Sequence, residues 1–255
     1  MTGIFATEHE GEVGAARVVL VHGSLDRSSA FVRVQRLLDD LTVVRYDRRG
    51  YAKSLAVGPG TTFTDQVDDL AKVVADRPSV IVGHSLGGVV ALAFAQRSPE
   101  LARAVVSYES PMPWLPTWPS VTAGAAAMTG EGDTGAAAER FMRRMIGDAR
   151  WEGLPVRTQE QRRVEGAALV AELRSIRSPA PPPYDPTLIH LPVVVAHGTR
   201  SKPHHQDGTR RLAEALPNGE LVVIEGADHG VHLSDPAALA TLIRRAIERA
   251  EEAGR

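Results

Sequence analysis

Runs of β-branched and aliphatic residues recur along the chain: Val18 to Val21, Thr42 to Tyr46, Ser79 to Val82, Ala104 to Val106, Pro192 to Val195 and Leu221 to Ile224. Their apolar character is nearly continuous, with no polar alternation, as in strands covered on both faces of a parallel sheet. Between them, Ala30 to Leu41, Phe63 to Arg77, Leu86 to Arg97 and Thr209 to Leu216 predict crossover helices. The last helix is the plainest, because Leu239, Leu242, Ile243, Ala246, Ile247 and Ala250 fall on one face at three- and four-residue steps. Ser234, before Asp235-Pro236, supplies its start signal. This alternation predicts an α/β fold with a mostly parallel central sheet flanked by helices.

The alternation breaks once, between Glu109 and Leu191, where Pro, Ala, Gly and Arg predominate. Pro111, Pro113, Pro116 and Pro119 open this insertion, and Pro179, Pro181, Pro182, Pro183 and Pro186 close it. Glu139 to Ile146 and Gln159 to Ile176 predict helices inside it. Semi-rigid Pro-rich spacers at both ends suit a helical cap held over one end of the sheet. The expected division is a core of residues 1–110 and 187–255 with a cap of residues 111–186. The Ala/Gly stretch from Ala123 to Ala138 is expected as either a mobile lid or a weak helix.

Composition narrows the class. At 255 residues the chain suits one large domain with an insertion, and 43% hydrophobic with 24% charged residues excludes a disordered or fibrous chain. A net charge of -2 leaves no surplus to neutralise phosphates or an anionic membrane, so neither nucleic acid nor membrane is an expected partner. With Cys 0, disulfide, thiol and Cys-ligated metal chemistry are excluded. Met1 to Gly14 contains no signal-like apolar stretch, and the strongest apolar run, Val89 to Ala95, is far too short to span a bilayer, so a soluble cytoplasmic protein is expected. The oligomeric state is left open.

The chemistry centres on Gly83-His84-Ser85-Leu86-Gly87, a G-x-S-x-G pentapeptide set directly between a buried strand and a helix. On that sharp turn a serine takes a strained backbone conformation, flanked by small residues that avoid clashes, and its hydroxyl stands clear of the sheet. A serine hydroxyl needs a base to take its proton. His229, in the turn after Leu221 to Ile224, is the best placed of the nine histidines, with His232 as the fallback and His84 packed beside the turn. The base needs a carboxylate to fix its tautomer. No acid occurs in His197 to Pro203, and Asp207 lies six residues past Ser201, whereas Glu109 follows the strand Ala104 to Val106 and Tyr108. The chain order Ser85, Glu109, His229 is then the order expected of such a triad. Backbone N–H groups of Leu86 and Ser24 are the expected oxyanion donors, the second in His22-Gly23-Ser24-Leu25 after the first strand.

Met112, Trp114, Leu115, Trp118, Met142 and Met145 can form either an acyl pocket or the cap's own core, and Trp114 and Leu115, with His22, are the candidate pocket residues. His22 can equally hold its own loop by hydrogen bonding. His204, His205 and Asp207 suggest a metal, but adjacent histidines point apart on most backbones, so no metal and no cofactor are expected. Asp47, Arg48 and Arg49 predict a hydrogen-bonded network holding their loop.

Taken together, Val21-His22-Gly23-Ser24, Tyr46-Asp47-Arg48-Arg49-Gly50-Tyr51-Ala52-Lys53-Ser54, Gly83 to Gly87, Tyr108-Glu109-Ser110-Pro111 and Asp228-His229 resemble the α/β-hydrolase superfamily. The chain is similar to its small, capped, cofactor-free bacterial serine hydrolases. Ala52 replaces a glycine usual in that pattern, and Ser201 stands where many relatives carry the acid. The serine at position 85 argues against epoxide hydrolase and haloalkane dehalogenase chemistry, which in this fold use an aspartate there. The resemblance implies hydrolysis of small apolar carboxylic esters, or of related lactones, thioesters or amides, through an acyl-enzyme. The alternatives are a ligand-binding or signalling protein on the same fold with slow or no turnover, and a cofactor-free perhydrolysis like that of haloperoxidases.

Overall fold

The structure is a computed structural model that describes residues 3–130, 132–177 and 181–254; Pro179 of the closing proline run lies outside them. In chain order the elements are β1 (Ala6–His9), β2 (Arg17–Val21), α1 (Val32–Arg36), β3 (Thr42–Tyr46), α2 (Thr64–Val74), β4 (Ser79–His84), α3 (Leu86–Arg97) and β5 (Ala102–Tyr108). The insertion carries α4 (Ala123–Ala127), α5 (Thr134–Ile146), α6 (Asp148–Glu152), α7 (Val156–Val164) and α8 (Gly166–Ser175). The chain then returns through β6 (Val193–Gly198), α9 (Pro203–Ala215), β7 (Gly219–Ile224), α10 (Val231–Ser234) and α11 (Pro236–Ala253).

The seven strands run in the order β1-β3-β2-β4-β5-β6-β7, all parallel except β1, which pairs antiparallel with β3. Successive residues of the central strands enter opposite cores. Val19, Ile81, Val105 and Val195 pack on one face, and Leu20, Val82, Val106 and Val194 on the other. Both faces are buried, which is why the strands read as unbroken apolar runs. Neither face spared polar positions to mark an alternation.

Several boundaries differ from the sequence reading. β1 lacks an apolar run because it is a partly exposed edge strand. The Ala30 to Leu41 segment contains only a 3₁₀ turn, Ser28–Phe31, and the five-residue α1. Gln159 to Ile176 is two helices, broken at Glu165, whose buried carboxylate takes the Ala52 N–H at 3.0 Å and Arg27 at 3.2 Å. The helix expected from Thr209 starts at Pro203, a residue suited to a first helical position. Asp235, and not Ser234, caps the last helix: its side chain accepts the Ala238 N–H at 3.0 Å. The Ala123 to Ala138 stretch, expected as a lid or a weak helix, contains α4 and the start of α5, capped by Thr122 and Asp133 respectively.

The insertion has its own apolar cluster, in which Ala138, Phe141, Leu169 and Leu173 meet Leu25 and Tyr51 from the loops after β2 and β3. A buried ion pair ties the two parts together. Arg48 Nη1 donates to Glu172 Oε2 at 2.8 Å, and Tyr51 OH donates to Glu172 Oε1 at 2.7 Å. Near the ends of the insertion, Met112, Ile176 and Tyr184 pack into the main core. Among the described residues, no helix is long and apolar enough to cross a membrane.

Candidate functional site

The site sits at the carboxyl edge of the sheet, where strand ends release the chain into loops. Ser85 follows β4 with φ 53° and ψ −126°, a left-handed conformation that costs a side-chain-bearing residue energy. The turn is held from both sides, by Ser85 N–H to Tyr108 O at 2.8 Å and Gly88 N–H to Ser85 O at 2.8 Å. The flanking glycines are steric requirements. A Cβ on Gly83 would collide with the Gly88 backbone, and one on Gly87 with the carbonyls of Val21 and His22.

One strand over, Glu109 leaves β5 with φ 50° and is fully buried. Its Oε2 accepts from His229 Nδ1 at 2.7 Å, and its Oε1 accepts from Gly198 N–H at 3.2 Å and from Ser201 Oγ. Burial pushes the carboxyl upward, but the His229, Ser201 and Gly198 hydrogen bonds outweigh it and hold its pKa below the ordinary value. The His229 loop is clamped by Tyr108 OH to Asp228 O at 2.7 Å and by His84 Nε2 to His229 O at 2.7 Å. With Nδ1 donating to Glu109, Nε2 is the ring nitrogen of His229 left to accept a proton.

Ser85, Leu86, Ser24 and His229 line one narrow cavity of about 70 Å³. Its walls match expectation only in part: Trp118 and Met145 of the cap candidates line it, together with Phe141 and Leu173, whereas His22, Trp114 and Leu115 are absent from the lining. Trp114 instead packs edge-on to Tyr184, ring centroids 5.6 Å apart, and Leu115 packs against the main core. The fully buried His22 donates from Nδ1 to Gly23 O at 2.8 Å and accepts the Arg48 N–H at Nε2 at 2.9 Å. Burial, then the Arg48 charge, lowers its pKa to about 4, so it is a neutral holder of the loop. The Asp47, Arg48 and Arg49 network is present: Asp47 accepts from Ser28 N–H at 2.7 Å, and Arg49 Nε donates to Asp69 at 2.6 Å. A larger depression of about 640 Å³ lies elsewhere, against α2, α3 and Pro181 to Pro183, with Arg97 as its one ionisable residue among those described.

Asp207, the other candidate acid, sits on α9 with its side chain 67% exposed and paired to Arg210 at 3.0 Å. It is not brought to His229. The neighbouring histidines differ from expectation: His204 and His205 lie side by side with ring centroids 4.3 Å apart. His205 stacks on His229 at 4.5 Å, its Nδ1 4.0 Å from Glu109 Oε2, and burial lowers its pKa well below the ordinary value. Nothing in the sequence marked this contact beyond the position of His205 past the end of β6. The fallback base, His232, lies behind the site, with Nε2 3.1 Å from Asp26 Oδ2 and its ring 4.2 Å from His84. Burial would raise the Asp26 pKa, yet His232 and the other imidazoles hold it down at about 2. Among the described residues two groups have the donor types and closeness to hold a metal ion, Asp26 with His84 and His232, and Glu109 with His205 and His229.

Comparisons with known proteins agree with this architecture. A family model described as "Alpha/beta hydrolase family" matches residues 18–242. A 2-(acetamidomethylene)succinate hydrolase from Mesorhizobium japonicum is 26% identical over 241 residues, covering 88% of this chain and 86% of its own. Among solved structures, an enol-lactonase from Burkholderia xenovorans LB400 superposes with a TM-score of 0.73 at 21% identity, over 96% of both chains. A putative non-heme bromoperoxidase, BpoC, from Mycobacterium tuberculosis H37Rv gives a TM-score of 0.70 at 18% identity, over 97% and 96% of the two chains.

Proposed function

The chain belongs to the alpha/beta hydrolase family, and from that premise we propose that it is a serine hydrolase cleaving small carboxylic esters through an acyl-enzyme. One observation carries the reading: a buried carboxylate holds His229 Nδ1 at 2.7 Å on the wall of the same cavity that exposes Ser85.

Ser85 Oγ attacks the substrate carbonyl carbon while its proton passes to His229. The imidazolium is stabilised by the ionised Glu109, whose lowered pKa suits that role. The carbonyl oxygen becomes an oxyanion held by the Leu86 and Ser24 N–H groups, and each such donor lowers the barrier by about 3 kcal/mol. Collapse expels the alcohol, which takes the proton from His229. Water then attacks the acyl carbon, giving its proton to His229, and collapse breaks the bond to Ser85 Oγ, which takes that proton from His229 as the acid is released. An enol-lactonase among the structural neighbours keeps lactones within the proposed class. The segment 111–186 acts in this reading as a cap, supplying Phe141, Met145 and Leu173 as apolar walls.

A fluorophosphonate probe, followed by mass spectrometry, is expected to place its adduct on Ser85. Turnover of a short-chain p-nitrophenyl ester should vanish in Ser85→Ala and fall on acidification, since an imidazolium cannot accept the Ser85 proton. Labelling at another residue, or tight binding of such esters without turnover, overturns the proposal in favour of a ligand-binding role.

A further inference from the structure

The wall of the Ser85 cavity holds positive charge with no matching carboxylate. Arg177, just past α8, and Lys202, just before α9, both line it, and among the described residues no aspartate or glutamate does. Lys202 Nζ donates to the Arg144 carbonyl at 3.3 Å, and the Arg177 guanidinium has no hydrogen bond or ion pair among the described residues. Some arginines elsewhere pair with carboxylates, as Arg48 does with Glu172, Arg49 with Asp69 and Arg163 with Glu139, while others such as Arg36, Arg103 and Arg211 carry no ion pair among the described residues. Burial, and then the nearby Arg144 charge, lowers the Lys202 pKa, so like charges crowd this corner. The amino end of the thirteen-residue α9 faces the same space, since His204 and His205 of its first turn line the cavity, and it adds its positive end. Within the cavity His205 is itself more than nine-tenths buried, and its Nδ1 has no hydrogen-bond partner. The nearest carboxylate, Glu109, lies outside the lining, its oxygens bonded to His229, Gly198 and Ser201, and it offsets the positive charge on the His204 and His205 side without pairing with Arg177 or Lys202.

We propose that the substrate of the Ser85 site carries a carboxylate, which Arg177 and Lys202 bind while the ester lies against Trp118 and Phe141. The inference rests on the serine-hydrolase reading and specifies its substrate class. A carboxylate between the partly buried Arg177 and the exposed Lys202 is attracted to both, and each charge-assisted hydrogen bond adds direction.

Matched ester pairs test it: the monophenyl ester of glutaric acid against phenyl valerate, and 4-acetoxybenzoate against its methyl ester. The first pair places the anion on the acyl side and the second on the leaving group. In at least one pair the anionic member should have kcat/KM about tenfold or more above its neutral partner, mainly through KM. That ratio should shrink in high salt. It should fall about tenfold in Arg177→Gln or Lys202→Gln, and Lys202→Glu should reverse it, an effect that misfolding does not produce. Neutral esters preferred in both pairs, or a ratio untouched by all three substitutions, overturns the proposal. Fluorophosphonate labelling of Ser85 separates the two levels: labelled enzyme without anion preference sinks the substrate class alone, whereas unlabelled enzyme sinks the serine-hydrolase reading beneath it.

Discussion

Glu109 meets His229 Nδ1, and Ser201 supports that carboxylate from the end of β6. Ser201 occupies the place after β6 where an acid was sought, and it donates to the carboxylate that arrives instead from β5. That Glu109 was a candidate at all was legible, because it follows a strand on the edge where Ser85 and His229 emerge. That Ser201 supports it was not, since their contact spans a sequence separation of 92 residues. In the proposed mechanism Glu109→Gln removes the charge that stabilises the imidazolium, and kcat should fall by about 10²- to 10⁴-fold. Asp207→Asn, altering only an exposed ion pair, should leave kcat within about twofold. A large loss from the second substitution and none from the first reverses the assignment of the acid.

At the scale of elements, β4, the Ser85 turn and α3 were readable together, because a strand, a glycine-flanked serine and a helix follow without a spacer. The loop after β3 shows what a local deviation costs. Ala52, where a glycine is usual, has φ 44°, so its Cβ is held in the left-handed region. Ala52→Gly should therefore stabilise the fold by up to about 1 kcal/mol, measured by denaturant unfolding, with a loss of stability as the contrary result. The same loop is tied to the insertion by the Arg48 and Glu172 ion pair, whose side chains are 0% and 1% exposed. Glu172→Ala strands the buried guanidinium, and a destabilisation of about 3–5 kcal/mol is expected. An unchanged unfolding midpoint would show that the Gly23 and His22 carbonyls, which also accept from Arg48, satisfy it alone. The Glu165 break between α7 and α8 escaped the sequence reading because both halves are composed of helix-forming residues, and composition does not reveal that one carboxylate is drawn inward to the Ala52 N–H and Arg27.

The whole molecule buries several imidazoles in the neutral form. Burial lowers the pKa of His22 from 6.5 to about 4, and that of His84 and His205 well below the ordinary value. The unfolded chain takes up these protons at higher pH than the native one. The resulting stability is complete above about pH 6.5 and is lost as pH falls from there toward 4. Asp26, lowered from 3.8 to about 2, acts at still lower pH: its contribution is present above about 3.8 and is lost as pH falls toward 2. The thermal midpoint should thus be level near neutrality and decline steadily on acidification below about pH 6.5. A midpoint that rises between pH 7 and 5 would mean that these rings gain, and do not lose, stability on protonation.

The amino-acid sequence by itself determined the six parallel strands, most of the crossover helices and the Ser85 turn, because each is written in neighbouring residues: apolar continuity, helical spacing, and small residues on either side of one serine. Tertiary structure alone decided which residues wall the cavity, that His205 stacks on His229, and that Arg177 and Lys202 share a space with no acid. Those relations join segments dozens of residues apart, and the distance between such segments is set by how the insertion packs on the sheet, which no local pattern encodes.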